Sequence, residues 1–213
     1  MSAKLYNPGL PEDLWSHLDG RLWHATCRDG LHGIVADKEI RVPVGNRYVG
    51  SFCRNQGGVS LFDFGPASED IPNQFHNWCG WFGHQQGTRV AVWMEIDRAS
   101  VLESLMDAKA AREACRLLMD QRHAEGKMYE SGITIIPGVE ACHKGPIPVP
   151  AVAGVLLIDQ HNWKLSRRLG KPNNDTIQQI DAFEATLPAH EDDPLVQALL
   201  AGRWRPRAEP SKE

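Results

Sequence analysis

Leu22-Trp23-His24-Ala25-Thr26 places a single histidine inside a short apolar run. A helix-like segment follows at 30–35 and a second apolar stretch at 40–42, so this order predicts a strand, a helix and another strand. Far along the chain, Glu140 precedes a proline-interrupted strand that ends in the fully apolar run 155–158. We therefore expect His24 on the first strand and Glu140 at a sheet margin, and we take both as candidate catalytic residues.

The composition is that of an ordinary globular protein. A chain of 213 residues, 42% hydrophobic and 23% charged, fits one domain with a substantial core. It has no run of about 18 apolar residues and no apolar signal core at its start, which predicts neither a membrane span nor classical secretion. Five cysteines without a CxxC pair favour reduced thiols, and hence a cytoplasmic location. The net charge of −4 provides no general attraction for polyanions.

Gly and Pro breaks separate several candidate strands in the first two thirds of the chain. Alternation at 59–64 and the largely apolar run 89–96 predict two strands, and two more are expected at 132–136 and 152–158. Ser100 with Glu103 forms a possible capping box, which predicts a helical insertion running toward Gly126.

This order predicts an α+β fold. The chain lacks regular βαβ repetition, and neither GxGxxG nor GxxxxGK[ST] occurs, so a nucleotide would have to be bound by another kind of site. We expect the main domain over residues 1–162. Residues 163–213 are predicted to be a helical extension packed on it, with helices after Asp175 and Asp193 and a loose end.

Three features together resemble the mono-ADP-ribosyltransferase superfamily, in particular its His-containing, DarT-like branch. They are His24 in Leu-Trp-His-Ala-Thr, the block Ser51-Phe52-Cys53-Arg54 before a β stretch, and Glu140 ahead of the final strands. The resemblance covers roughly residues 20–160. It implies a split mixed β-sheet core, NAD as co-substrate, and transfer of ADP-ribose to a macromolecule, as in toxins and defence effectors.

The resemblance also implies roles for individual residues. His24 would bind the NAD ribose, Ser51 and Arg54 would hold the nicotinamide and phosphates, and Glu140 would orient the ribose and the nucleophile. The family has an Arg-Ser-Glu class and a His-Tyr-Glu class, and this chain departs from both. The aromatic residue that stacks on nicotinamide has four nearby candidates, of which we take the first: Tyr48, Phe52, Phe62 and Phe64.

The same residue types suit the chemistry of NAD cleavage. Breaking the bond between nicotinamide and ribose passes through an oxocarbenium-like state, which the carboxylate of Glu140 would stabilise. A neutral His24 can make one hydrogen bond to the ribose, and Thr26 on the same strand face can support the backbone or the ligand. Arg54 offers a guanidinium fork for the pyrophosphate. No metal is required, because the positively charged nicotinamide is already a good leaving group.

Each assignment has a structural alternative. A histidine on an apolar strand is more often a hydrogen-bonded core residue, and Ser51 and Arg54 could be simple polar loop residues. Glu130 is a rival to Glu140, although its place at the entry of a strand favours a solvent-facing role. Asp63 is more consistent with a structural hydrogen-bond acceptor than with a base.

Residues 75–84 hold four aromatic residues, two histidines and a cysteine. The first interpretation is an aromatic insert packed over the sheet. A second is a lid over NAD, or a platform on which a base of the target stacks. The third is zinc bound by His76, Cys79 and His84, with Cys142 or His143 completing the set, but this spacing matches no common zinc finger.

The acceptor of ADP-ribose remains open between protein and nucleic acid. Two groups of basic residues could lead a phosphate backbone toward the pocket, although such runs are usually solvated surface: Lys164, Arg167, Arg168 and Lys171, and Arg203, Arg205 and Arg207. Three alternative functions are an NAD glycohydrolase, a Tpt-like RNA 2′-phosphotransferase and a catalytically silent binding module. The phosphotransferase lacks a catalytic Glu, so Glu140 argues against it.

Overall fold

The computed structural model describes residues 12–45, 48–65, 88–127, 133–160, 162 and 164–188. Its strands are, in chain order, β1 (Leu22–Thr26), β2 (Glu39–Ile40), β3 (Gly58–Asp63), β4 (Val90–Ile96), β5 (Leu105–Met106), β6 (Glu140–Lys144), β7 (Ile147–Pro148), β8 (Val152–Asp159) and β9 (Ser166–Leu169). Its α-helices are α1 (Glu12–Leu18), α2 (Arg28–Asp37), α3 (Phe52–Asn55), α4 (Arg98–Val101), α5 (Ala108–Ala124) and α6 (Thr176–Glu184). Short 3-10 turns lie at Leu102–Ser104 and Val149–Ala151.

Most strands form one sheet in the order β5-β6-β3-β1-β4-β8-β9, and β2 pairs with β7 beside it. The α+β class predicted from the sequence is confirmed. The predicted mixed sheet is not, because every strand pairing in the described chain is antiparallel. Successive neighbours alternate in direction, so no parallel crossover is needed between them. The one parallel contact is an isolated bridge between Ser51 and Thr134.

Hydrophobic side chains cover both faces of the sheet. This explains why the central strand β4 has few polar residues, as its sequence predicted. One face packs against α2, α6 and the β2–β7 pair through an aliphatic core that includes Leu31, Met94 and Ile180. On the opposite face, an aromatic core built around Trp23 and Trp93 packs against α1.

A third, smaller cluster lies on the same face as the aromatic core, toward the β5 edge of the sheet. It joins α3 and α5 to β6, through residues such as Cys53, Cys115 and Cys142. The four described cysteines, which also include Cys27, are buried and free.

The sheet is open between β1 and β3. These strands pair only at Leu22↔Asp63 and Trp23↔Phe62. Beyond that point β1 continues against β4 as far as Thr26, while β3 is held by β6 from Gly58 onward. We call the unpaired gap between residues 24–26 of β1 and 58–61 of β3 the sheet opening.

The helical insertion begins later than the sequence suggested. Ser100 is not a helix cap, because Asp97 caps the single-turn α4 through Ala99 and also accepts the Ser100 hydroxyl proton. The chain then forms the edge strand β5, and Asp107 caps the long helix α5 through the amide of Ala110. Asp97 and Asp107 each cap a helix because their carboxylates accept charge-assisted hydrogen bonds from the first free amides.

The predicted boundary after residue 162 falls between two strands of one sheet. β9 pairs with β8 from Val155↔Leu169 to Ile158↔Ser166, so the extension contains a strand as well as a helix. α6 confirms the helix predicted after Asp175, and Ile180 and Phe183 anchor it to the aliphatic core. The helix predicted after Asp193 lies outside the described residues. Within the described chain, none of the helices is both long and apolar enough to cross a bilayer.

Gly30 allows α2 to start close against the end of β1. The Sγ of Cys27 accepts the Gly30 amide as the helix cap, and a Cβ at position 30 would collide with the Oγ1 of Thr26. Gly33 lies on the same helix with nothing within 4 Å of an added Cβ.

We therefore predict opposite effects for two glycine substitutions in α2. Gly30→Ala should lower the free energy of unfolding by about 1–3 kcal/mol, the usual cost of overpacking. Gly33→Ala should raise it by about 0.5–1 kcal/mol, because alanine favours the helix. Urea denaturation measures both. Adding Thr26→Ala to Gly30→Ala should recover part of the loss, and a failure to recover would contradict the proposed collision.

Candidate active site

Glu140 begins β6 and is only 4% exposed. It closes the preceding turn by two reciprocal hydrogen bonds. The Ile136 amide donates to Oε2 at 2.8 Å, and the Glu140 amide donates to the Ile136 carbonyl at 3.0 Å. The turn over 137–139 therefore determines where this carboxylate lies.

Two side chains donate to the other oxygen of Glu140. The Ser60 hydroxyl lies 2.7 Å from Oε1, and the Cys53 thiol lies 3.3 Å from it. Ser60 stands opposite Cys142 in the β3–β6 register, so it reaches Glu140 diagonally on one sheet face. A carboxylate has about four lone-pair sites, so three donors leave one acceptor position, on Oε2.

His24 spans the sheet opening from the β1 side. Its Nδ1 lies 3.1 Å from the carbonyl oxygen of Ser60. A carbonyl can only accept, so Nδ1 carries the proton and Nε2 is an acceptor in the neutral ring. Burial lowers the pKa of His24 below its usual 6.5, against the opposing effect of this hydrogen bond. The imidazole is therefore neutral at pH 7.

Ser60 links the two residues that the sequence singled out. Alternation along β1 sets His24 on the side of Leu22 and Met94, whereas Glu140 lies on the other side with Phe62. The two side chains make no direct hydrogen bond. His24 instead bonds the Ser60 carbonyl while the Ser60 hydroxyl bonds Glu140. We call these two hydrogen bonds the His24–Ser60–Glu140 linkage.

The other predicted ligands lie in the loop before α3 and at the end of β1. Ser51 caps α3 by accepting the Arg54 amide, and Arg54 donates to the Gly45 carbonyl. The Nη1 of Arg54 is buried without a hydrogen-bond partner among the described residues. Thr26 contacts the start of α2, and Ser51 is bridged to Thr134. The loop is thus joined to Glu140 through α3 and its Cys53, and also through Thr134, which lies two residues before Ile136.

Of the four candidate aromatic residues, Tyr48 alone has an exposed side chain, at 46%. It adopts a left-handed backbone conformation with φ of 54°. The other three are buried in the hydrophobic clusters, namely Phe52, Phe62 and Phe64. Exposure therefore favours Tyr48 for contact with a ligand.

Asp63 has the structural role expected from the sequence. Its buried carboxylate pairs with Arg98 and accepts the Gly65 amide at 2.8 Å. Glu130 and the aromatic segment 75–84 lie outside the described residues. Within the described part, no group of three or more His, Cys, Asp and Glu side chains is arranged to hold a metal.

Cys142 and His143 point away from each other, as adjacent strand residues should. Cys142 packs beside Cys53, whereas His143 bonds the Gly145 carbonyl and lines a groove of about 360 Å³ with residues 99–104. This groove does not include His24, Ser60 or Glu140.

Comparisons with protein-family models, with curated proteins and with solved structures find no match to this chain.

The sequence did not indicate that Ser60 and Cys53 contact Glu140. Ser60 carries a weak signal, since it is the polar position in the otherwise apolar alternation of β3. Cys53 carries none, because a cysteine beside a phenylalanine is typical of a packed core.

We predict that Ser60→Ala costs about 1–3 kcal/mol of unfolding free energy, because it leaves a buried carboxylate with one donor fewer. Ser100→Ala is the matched control. It removes an exposed bond to Asp97 and should cost less than about 1 kcal/mol. Chemical denaturation of both variants measures the difference. Equal costs would mean that the Ser60 bond to Glu140 is not formed.

We also predict a pH dependence of stability from His24. The folded state holds its pKa below 6.5, so the unfolded chain binds more protons once the pH falls below that value. Stability should therefore decrease from about pH 7 downward, by at most about 1.4 kcal/mol per pH unit for this one group. Denaturation curves at several pH values measure the slope.

His24→Asn should reduce this slope, because the asparagine amide can still donate to Ser60 but does not titrate. His32→Asn changes an exposed histidine on α2 and should leave the slope unchanged. If His24→Asn retained the full slope, a neutral His24 imidazole in the folded state would be excluded.

Proposed function

We propose that this chain is a mono-ADP-ribosyltransferase, which cleaves NAD at the nicotinamide–ribose bond and transfers ADP-ribose to a macromolecule. The observation that carries the proposal is the His24–Ser60–Glu140 linkage at the sheet opening. Ser60 bonds both the neutral imidazole of His24 and the carboxylate of Glu140. The family resemblance assigns these two groups to the same site. The ADP-ribosyltransferase-like fold is part of the proposal, supported by the α+β sheet and its opening.

Glu140 has the environment that charge stabilisation needs. Its carboxylate is buried, and three donors from the chain fix both oxygens before any substrate binds. A fixed charge in a water-poor site stabilises developing positive charge more strongly than a mobile, hydrated one. The remaining acceptor position on Oε2 would hold a ribose hydroxyl that enters through the sheet opening, because His24 lies on the opposite face of the sheet.

His24 would act by binding rather than by proton transfer. Its Nδ1–H donates to the Ser60 carbonyl, so Nε2 would accept a hydrogen bond from a second ribose hydroxyl. Because this bond would form in the ground state, His24 contributes to NAD affinity as well as to turnover.

The loop before α3 would complete the NAD site. The buried Nη1 of Arg54 is a hydrogen-bond donor without a partner in the described chain. A phosphate oxygen of NAD would accept this hydrogen bond. Tyr48, exposed on the same loop, would stack on the nicotinamide.

For the acceptor, one residue of the first basic group is already paired within the protein, and the second group, Arg203, Arg205 and Arg207, lies outside the described residues. Arg168 pairs with Glu95 and lies over the ring of Trp23, 5.2 Å from its centroid. Lys164, Arg167 and Lys171 are exposed. Protein and nucleic acid both remain open as acceptors.

Incubation with NAD labelled in the adenine ring tests the proposal. Nicotinamide release with label on a macromolecule supports the transferase. Release with free labelled ADP-ribose supports the glycohydrolase instead, and no release at saturating NAD supports a binding module.

We predict that Glu140→Gln lowers turnover by roughly a hundredfold or more while NAD affinity stays nearly unchanged. The amide keeps the size of the side chain and can still hydrogen-bond a ribose hydroxyl, but it loses the charge that the transition state needs. Nicotinamide release and calorimetric NAD binding measure the two quantities. Glu113→Gln, which changes an exposed acid on α5, should leave both unchanged. Wild-type turnover in Glu140→Gln would exclude this role, and Glu130→Gln would be examined next.

We predict that His24→Ala weakens NAD binding as well as turnover, because the ribose bond also exists in the ground state. Calorimetric titration of the variant, with its fold checked by circular dichroism, measures the dissociation constant. An unchanged constant in a folded protein would exclude ribose binding by His24.

A further inference from the structure

We propose that Cys53 is a positioning residue for Glu140. Its buried thiol would hold Oε1 of the carboxylate and tie the loop at 48–55 to the catalytic group. The proposal rests on the proposed function, since it concerns how the same carboxylate is aligned.

Cys53 contacts the carboxylate from a different element than Ser60 does. It lies on the single-turn helix α3, is fully buried, and its Sγ is 3.3 Å from Oε1 of Glu140. The Ala141 carbonyl, at 3.5 Å, is a second acceptor next along β6. Ser60 reaches the same oxygen from β3, so the two donors fix Oε1 from two directions.

The thiol keeps its proton. Interaction with the neighbouring Cys142 thiol, burial and the negative charge of Glu140 all raise the pKa of Cys53 far above its ordinary value. A protonated thiol is a donor and not a nucleophile. Cys53 would therefore act through Glu140, and no covalent step on its sulfur is implied.

The surroundings of α3 explain why a cysteine suits this position. The cluster around it is apolar and includes Phe52, Ala111 and Ile133. A thiol behaves as a small hydrophobic group with a weak donor, so it packs there at less cost than a hydroxyl.

The same helix connects the carboxylate to the loop with the proposed NAD ligands. Ser51 caps α3 and is bridged to Thr134, whereas Arg54 is the third residue of the helix. A shift of this loop would therefore move the donor on Glu140. Misplacing a catalytic group by about 1 Å can cost on the order of a hundredfold in rate.

Three variants of the full chain test the role. Cys53→Ala removes the donor, and Cys53→Ser replaces the thiol by a hydroxyl that still donates. Cys115→Ala is the matched control, since Cys115 is buried in the same cluster and forms no hydrogen bond to Glu140 in the described chain. We expect kcat for nicotinamide release to fall about tenfold or more in Cys53→Ala, with KM within about twofold of wild type.

Cys53→Ser should restore kcat to within about threefold of wild type, and Cys115→Ala should lose thermal stability but not kcat. If Cys53→Ala, like Cys115→Ala, lost thermal stability but not kcat, the thiol would contribute packing only. This result would overturn the proposal. If the wild type released no nicotinamide, the proposed function would fall and this role with it. NAD cleavage by an unaffected Cys53→Ala variant would overturn the role of Cys53 alone.

Infrared spectroscopy gives a readout that does not depend on turnover. The S–H stretching band that disappears in Cys53→Ala belongs to this thiol. We expect Glu140→Gln to move that band to higher frequency, because a neutral amide is a weaker acceptor than a carboxylate. A band that does not move would show that the thiol is not bonded to the carboxylate and would overturn the proposal.

Discussion

The burial of the Glu140 carboxylate is the constraint on which the site depends. A buried charge without partners is costly, so the fold has to bring donors to both oxygens. They come from the turn at Ile136, from Ser60 on β3 and from Cys53 on α3. The positions of β6, β3 and α3 relative to one another are therefore coupled at a single side chain. Removing one donor leaves the buried carboxylate with fewer hydrogen bonds. Single substitutions at these donors should therefore lower the free energy of unfolding measurably.

The sheet opening is the second structural condition. Normal pairing between β1 and β3 would place backbone hydrogen bonds where His24 now reaches the Ser60 carbonyl. β1 pairs with β4 and β3 pairs with β6, so both sides of the opening remain hydrogen-bonded within the sheet. Backbone groups released from a ladder need other partners, and a neutral imidazole supplies one.

The sequence predicted the α+β class, the strands at 59–64, 89–96 and 152–158, and the helix after Asp175. Alternation and apolar runs carry that information locally. It could not predict the Ser60 and Cys53 contacts, because they depend on the register of β3 against β6 and on the packing of α3, and they join residues 80 and 87 positions apart. It also assigned β9 to a helical extension, since Ser166-Arg167-Arg168-Leu169 is polar enough to resemble a surface segment and pairs only at a sheet edge. His24 and Glu140 could be singled out because each is a polar residue within an apolar stretch.

The most direct test of the account is a crystal structure of the Glu140→Gln variant with bound NAD, in which slow turnover preserves the substrate. The account predicts that the nicotinamide riboside lies in the sheet opening. One ribose hydroxyl should be within hydrogen-bond distance of Nε2 of His24, and another should be close to the side chain at position 140. NAD bound away from the opening, or no NAD density at saturating concentration in a folded protein, would contradict the account.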